Sequence, residues 1–196
     1  MSVKLPIFAV MEESYKILGV DPGTNLCGYG LIEVKGRSLK LVTLGVLKLQ
    51  SYPDHQTKLK EIFLQLQEII ETYLPKKMAI ESPFFGKNVQ SMLKLGRAQG
   101  VAMAAGMTMG LDIIEYSPKK IKQSVTGNGN ASKEQVAAML DSILKVKITK
   151  NYLDATDAIA AAVTLYNQAG KPEGVGRTSY SSWGSYIKDN PSKLKK

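Results

Sequence analysis

One cysteine and one histidine occur among 196 residues. With Cys27 alone, no intrachain disulfide can form, and a reducing cytoplasm is the natural setting. The same scarcity leaves no His/Cys cluster for zinc. Long apolar runs are missing as well, none approaching the roughly 20 residues that cross a bilayer. Residues 5–10 are apolar but short, follow a single Lys4 and lack a small-residue cleavage site, which makes a poor secretory signal. Acids are the scarce charge: 17 Asp and Glu stand against 26 Lys and Arg, a net +9. Six of those basic residues and two of the acids lie beyond residue 170, leaving 20 against 15, or +5, on the rest. Such an excess suits a polyanionic partner, nucleic acid first, although charge alone does not separate this from an ordinary basic protein.

The chain is long enough for one well-buried core and short for two. Residues 16–21 read as a buried strand ended by Pro22-Gly23. Residues 28–34 and 38–49 alternate around a Lys35-Gly36-Arg37 turn, completing a three-stranded antiparallel meander. Leu59, Ile62, Phe63, Leu66, Ile69, Ile70 and Tyr73 follow helical spacing, with Pro75 just beyond. Residues 77–81 form a short strand, a Met- and Ala-rich helix runs from about 88 to 109, and residues 113–116 form another strand. Ser117-Pro118 supplies a cap and a helical first residue for 119–125. Ser132 and Gln135 make a capping box for a helix to about 144, and Asn151 caps the last helix, to about 168. The order predicts an α/β fold: a mixed central sheet, antiparallel meander first and parallel strands after, flanked by helices. The expected division is a flexible extension over 1–15, one domain over 16–169 and a basic, flexible tail over 170–196. Met11 is an alternative initiator.

Four carboxylates carry the chemistry of this pattern. Asp21 and Glu81 end two predicted strands, and in open α/β sheets ligands gather at that edge. Asp154 and Asp157 lie three apart on a predicted helix, their Cβ atoms about 5–6 Å from each other. The rest of that face, Ala158, Ala161, Ala162 and Leu165, is small and apolar enough to lie on the sheet. Taken singly, each acid has an ordinary explanation: a turn residue at Asp21, an exposed strand end at Glu81, a first-turn acid at Asp154. Together they would repel one another unless a cation joined them. Oxygen-only ligands point to Mg²⁺ or Mn²⁺, and two such ions about 3.5–4 Å apart can grip a phosphodiester. Basic charge beside such a site indicates nuclease chemistry.

The runs Gly19-Val20-Asp21-Pro22-Gly23-Thr24, Ala79-Ile80-Glu81, Lys94-Leu95-Gly96-Arg97-Ala98-Gln99-Gly100, residues 119–127 and Asp154-Ala155-Thr156-Asp157-Ala158 together resemble the RuvC family of bacterial Holliday junction resolvases, from about residue 16 to 168. The resemblance implies an RNase H-like fold and a junction-resolving endonuclease that serves recombination and repair. It implies two Mg²⁺ per site, with Mn²⁺ able to substitute, held by Asp21, Glu81, Asp154 and Asp157 as the catalytic acids. DNA contacts are implied for Phe84, Phe85, Lys87, Lys122 and Lys133, with Phe84 the better match for an aromatic that stacks on junction bases. From the residues alone, core is the better reading of both phenylalanines, and a solvated face is as good a reading of the lysines as a DNA contact. The implied partners are four-way junction DNA, a second copy of the chain in a two-fold dimer, and the branch-migration proteins RuvA and RuvB, with no membrane.

Gly96, Gly100, Gly106 and Gly110 weaken the long helix by about 1 kcal/mol each relative to Ala. Close packing would explain them, either against this chain's own sheet or across the dimer contact implied by the resemblance. His55 reads as a loop residue without chemistry, and Cys27 as a small buried filler. Tyr180, Trp183 and Tyr186 recur every third residue in the tail with no role assigned. Three rivals remain: an actin-like or sugar-kinase ATPase, which needs a second comparable domain; a junction-binding structural protein, which leaves four acids unexplained; and an RNase H-like nuclease for RNA/DNA hybrids.

Overall fold

The computed structural model describes residues 14–83, 88–147 and 153–169. Five strands form one sheet: β1 (Tyr15–Asp21), β2 (Leu26–Lys35), β3 (Ser38–Lys48), β4 (Lys77–Glu81) and β5 (Asp112–Tyr116). Their spatial order is β3-β2-β1-β4-β5. The first three strands pair antiparallel, while β4 joins β1 and β5 joins β4 in parallel. This is the mixed sheet that the sequence predicts.

Two helical layers cover the sheet. On one face lie α1 (His55–Tyr73) and α2 (Val89–Thr108); on the other lie α3 (Pro118–Thr126), α4 (Lys133–Leu144) and α5 (Leu153–Ala169). Burial on both faces explains why β1 and β4 read as continuous apolar runs. Successive side chains point to opposite faces, so Ile17 and Ala79 enter the core under α3–α5, whereas Leu18, Val20, Met78 and Ile80 enter the core under α1 and α2.

Capping residues set most helix starts. Asn88, Ser117 and Ser132 each accept a backbone N–H with the side chain, and the Ser132–Gln135 capping box is complete. Helix α1 starts four residues before Leu59, the first of its apolar stripe, because Asp54 caps it by accepting from the Thr57 N–H at 2.7 Å. His55 is therefore the first residue of a helix, not a loop residue. Asn151, the expected cap of α5, lies outside the described residues, as do the terminal segments 1–13 and 170–196.

Helix α5 is pressed onto the sheet. A Cβ on Gly19 would overlap the carbonyl oxygen of Ala158, and one on Gly30 would overlap the Ile159 side chain. Ala158, Ala161 and Ala162 are fully buried, as the small face of this helix requires. The result is a short distance between α5 and the ends of β1 and β4. Cys27 is fully buried, and burial pushes its thiol up to about 12, so it is an inert filler at neutral pH.

Candidate active site at the parallel strand ends

Strand parity places the first two acids. Gly19 pairs with Ala79 and Val20 with Ile80 across the parallel β1–β4 ladder, so Asp21 and Glu81 come next in register. Asp21 shares the face of Gly19, and Glu81 that of Ala79, which is the face under α5. Close packing of Ala158 on Gly19 then carries the preceding residue, Asp157, to the same edge. All three acids line one open cavity of about 580 Å³. Asp154 lies on α5 one turn before Asp157, and its side chain is outside the described part.

Electrostatics show the cost of this convergence. Burial, then the negative charges of Asp21 and Asp157, push Glu81 up to about 8, against the pull of Lys133 and Lys122. Near neutral pH, Glu81 therefore holds its proton unless a cation is supplied. Carboxylates from three segments face one cavity and are the donor type that a hard divalent ion takes, although among the described residues no three of them are drawn together as a formed metal site.

The basic rim comes from the loop and helices after β5. Glu81 pairs with Tyr116, and the Ser82 N–H donates to the Tyr116 carbonyl at 2.9 Å, which sets Ser117 and the start of α3 beside Glu81. Lys122 of α3 and Lys133 of α4 both line the cavity. Lys133 Nζ lies 2.8 Å from Asp157 Oδ2, with the lysine side chain 58% exposed and the aspartate 21%. An ion pair that open contributes at most about 1 kcal/mol, so its consequence is orientation of both groups. The structure thus brings Asp21, Glu81, Asp157, Lys122 and Lys133 together. Phe84, Phe85 and Lys87 lie outside the described residues.

Two features of the site escape the sequence reading. Lys119 and Asn130 also line the cavity. Gln123 clamps the 127–130 loop with both ends of its amide, donating to the Gly127 carbonyl at 2.6 Å and accepting from the Gly129 N–H at 3.0 Å. No periodic or motif signal marks a glutamine for that task; the neighbouring Gly127-Asn128-Gly129-Asn130 run shows only that the loop is permissive.

The fold matches that of a solved resolvase. The structure of Thermus thermophilus RuvC in complex with a Holliday junction substrate superposes with a TM-score of 0.73 at 29% identity, covering 79% of this chain and 94% of the other. The protein is thus of the RNase H-like resolvase class. Its sequence is 58% identical to the crossover junction endodeoxyribonuclease RuvC of Cytophaga hutchinsonii over 91% of this chain and 88% of the relative, and 54% identical to that of Christiangramia forsetii over 95% and 96%. The family model for RuvC, crossover junction endodeoxyribonuclease, matches residues 17–165. The chain belongs to the RuvC family.

Proposed function

We propose that this chain is a divalent-cation-dependent endonuclease that resolves four-way DNA junctions by paired, symmetric nicks during recombination and repair. The observation that carries the reading is the meeting of Asp21, Glu81 and Asp157, from three separate segments, in one cavity rimmed by lysines. With Asp154 on the same helix, these acids would hold two Mg²⁺, with Mn²⁺ able to substitute. The ions, when bound, supply activation of a water and charge stabilisation at the leaving oxygen. Lys122 and Lys133 draw the phosphodiester to the acids, and Lys133 holds the Asp157 carboxylate in place through their ion pair. Phe84, three residues past Glu81, is proposed to stack on junction bases, a contact worth roughly 1–3 kcal/mol, with Phe85 and Lys87 beside it in sequence. The proposed setting is the bacterial cytoplasm, with RuvA and RuvB as partners. Among the described residues no helix is long and apolar enough to cross a membrane.

The test offers labelled four-way junction, linear duplex and RNA/DNA hybrid, each with and without Mg²⁺. Paired nicks in the junction alone, and only with the cation, are expected. Preferential cleavage of the hybrid would move the chain to the RNase H-like rival, and nucleotide binding without DNA cleavage would move it to the ATPase rival.

Symmetric nicking requires two sites, and the outer face of α2 supports a homodimer. Val89, Leu93 and Met107 are 68%, 51% and 58% exposed. With Gly96 and Gly100 they form one stripe at helical spacing, opposite the buried Ala98, Ala102 and Ala105. Gly106 packs against Met78 and Ile113, so the chain's own sheet explains that glycine. At Gly96 and Gly100 an added Cβ would meet nothing within 4 Å, so packing on the sheet does not explain these two. Close approach of a second helix does. Gly100→Glu is expected to shift the mass in solution from dimer to monomer at micromolar concentration while the monomer stays folded, since Gly is the poorer helix former, the melting temperature losing only what association contributes. A variant that stays dimeric would move the contact away from α2.

A further inference from the structure

The opposite face of the sheet carries a second polar cavity, of about 440 Å³, at the same edge as the acids. Its lining includes Thr24 and Asn25 of the β1–β2 loop, Asp54, His55 and Lys58 at the start of α1, and Ser91 and Lys94 of α2. Arg97, one turn beyond Lys94, adds a third permanent cation acting on His55. Among the described residues no carboxylate pairs with Lys58, Lys94 or Arg97. The acid nearest to hand, Asp54, already accepts from Thr57 through both oxygens, at 2.7 and 2.8 Å. Among the described residues, Lys58 Nζ donates to the neutral Asn25 Oδ1, at 3.2 Å. The imidazole Nε2 of His55 is buried with no hydrogen-bond partner among the described residues, and an unsatisfied buried nitrogen is uncommon enough to call for a ligand.

We propose that this groove, formed by His55, Lys58 and Lys94, binds a backbone phosphate of the DNA strand running past the cleavage site. The inference rests on reading the chain as a junction nuclease. A phosphate suits the groove because it accepts from ammonium, hydroxyl and imidazolium donors at once, and these outnumber the one carboxylate in the lining, Asp54, whose oxygens are both held by Thr57. A DNA strand suits it because Thr24 follows Asp21 by three residues, at most about 11 Å of chain, so one strand can lie over both cavities at the sheet edge. The groups facing His55 are Asp54 and Lys58 on its own helix and Lys94 and Arg97 on α2; the loop contributes only the uncharged Thr24 and Asn25. Burial and then the three cations hold the free imidazole below its usual range, with Asp54 opposing. An anion seated among them reverses that balance and raises it.

Because the chain has a single histidine, its imidazole resonance can be followed without assignment. The experiment titrates labelled full-length protein from pH 5 to 8 in EDTA, free, with saturating four-way junction, and with millimolar inorganic phosphate. The junction is expected to raise the imidazole pKa by about one pH unit. The double variant Lys58→Gln, Lys94→Gln should lose most of that rise and lower the slope of log affinity against log salt by about two, whereas Lys58→Arg with Lys94→Arg keeps both. Junction binding that saturates with no change at His55 would overturn the groove and leave the nuclease reading intact, and so would a rise with inorganic phosphate that the junction fails to produce. No junction binding at all would overturn both.

Discussion

Asp157→Asn is expected to lower nicking of a four-way junction about 10³-fold in saturating Mg²⁺ while preserving junction binding in EDTA. The argument is geometric. Asp157 lines the cavity with Asp21 and Glu81, and its charge is one of those that push Glu81 up, so it acts at the same site as they do. Asparagine keeps the shape and an acceptor oxygen but removes the charge that a hard cation needs. A 10³-fold loss corresponds to about 4 kcal/mol of transition-state stabilisation. Stability should hold or rise, because the Lys133 ion pair that is lost contributes little and a charge that repels Glu81 is lost with it. Binding should hold or tighten, because a negative charge facing the DNA backbone disappears. Single-turnover nicking of a labelled junction, read beside its anisotropy, checks both halves. Nicking at the parental rate would take Asp157 out of the site.

Much of this was legible in the sequence because the signals were local. The Lys77–Glu81 strand is legible with its observed bounds, since a short segment with the apolar centre Met78-Ala79-Ile80, held between Pro75 and Pro83, has few other ways to fold. The Ser132–Gln135 box and the Ser117-Pro118 start were equally plain, each being a short-range hydrogen-bond pattern. The convergence of Asp21 and Glu81 was conditional, because it needs β1 and β4 to be neighbours, a long-range pairing that no local pattern encodes. His55 was misread for a related reason. Its helix begins at a cap, Asp54, five residues before Leu59, where the apolar stripe that announces the helix starts. The basic groove beside it joins α1, α2 and the β1–β2 loop, which are far apart in sequence. The α2 glycines divided only in three dimensions: Gly106 faces Met78, while Gly96 and Gly100 face outward.

Glu81→Gln is expected to stabilise the metal-free protein and to abolish its response to Mg²⁺. In the folded chain, burial and the charges of Asp21 and Asp157 raise Glu81 from an ordinary 4.5 to about 8. A carboxyl whose folded value is raised binds its proton more tightly folded than unfolded, so between those two pH values stability falls as pH rises. Each unit within that window costs at most about 1.4 kcal/mol, and with partial solvent access the total by pH 8 is a few kcal/mol. At this chain length a few kcal/mol moves the melting temperature by roughly 5–10 °C. Glutamine stays neutral, so in EDTA the variant should melt higher than the parent at pH 8, with the gap closing toward pH 5. The parent should regain stability in Mg²⁺ by an amount that grows with pH, because ionised Glu81 must release its proton before it can act as a ligand. The variant, lacking that carboxylate, should gain little. Nicking by the parent at limiting Mg²⁺ should accordingly fall as pH drops below about 8, and more Mg²⁺ should restore it. Parallel melting curves of parent and variant from pH 5 to 8 in EDTA would show that Glu81 is ordinary. The clustered acids would then carry no electrostatic cost for a cation to relieve.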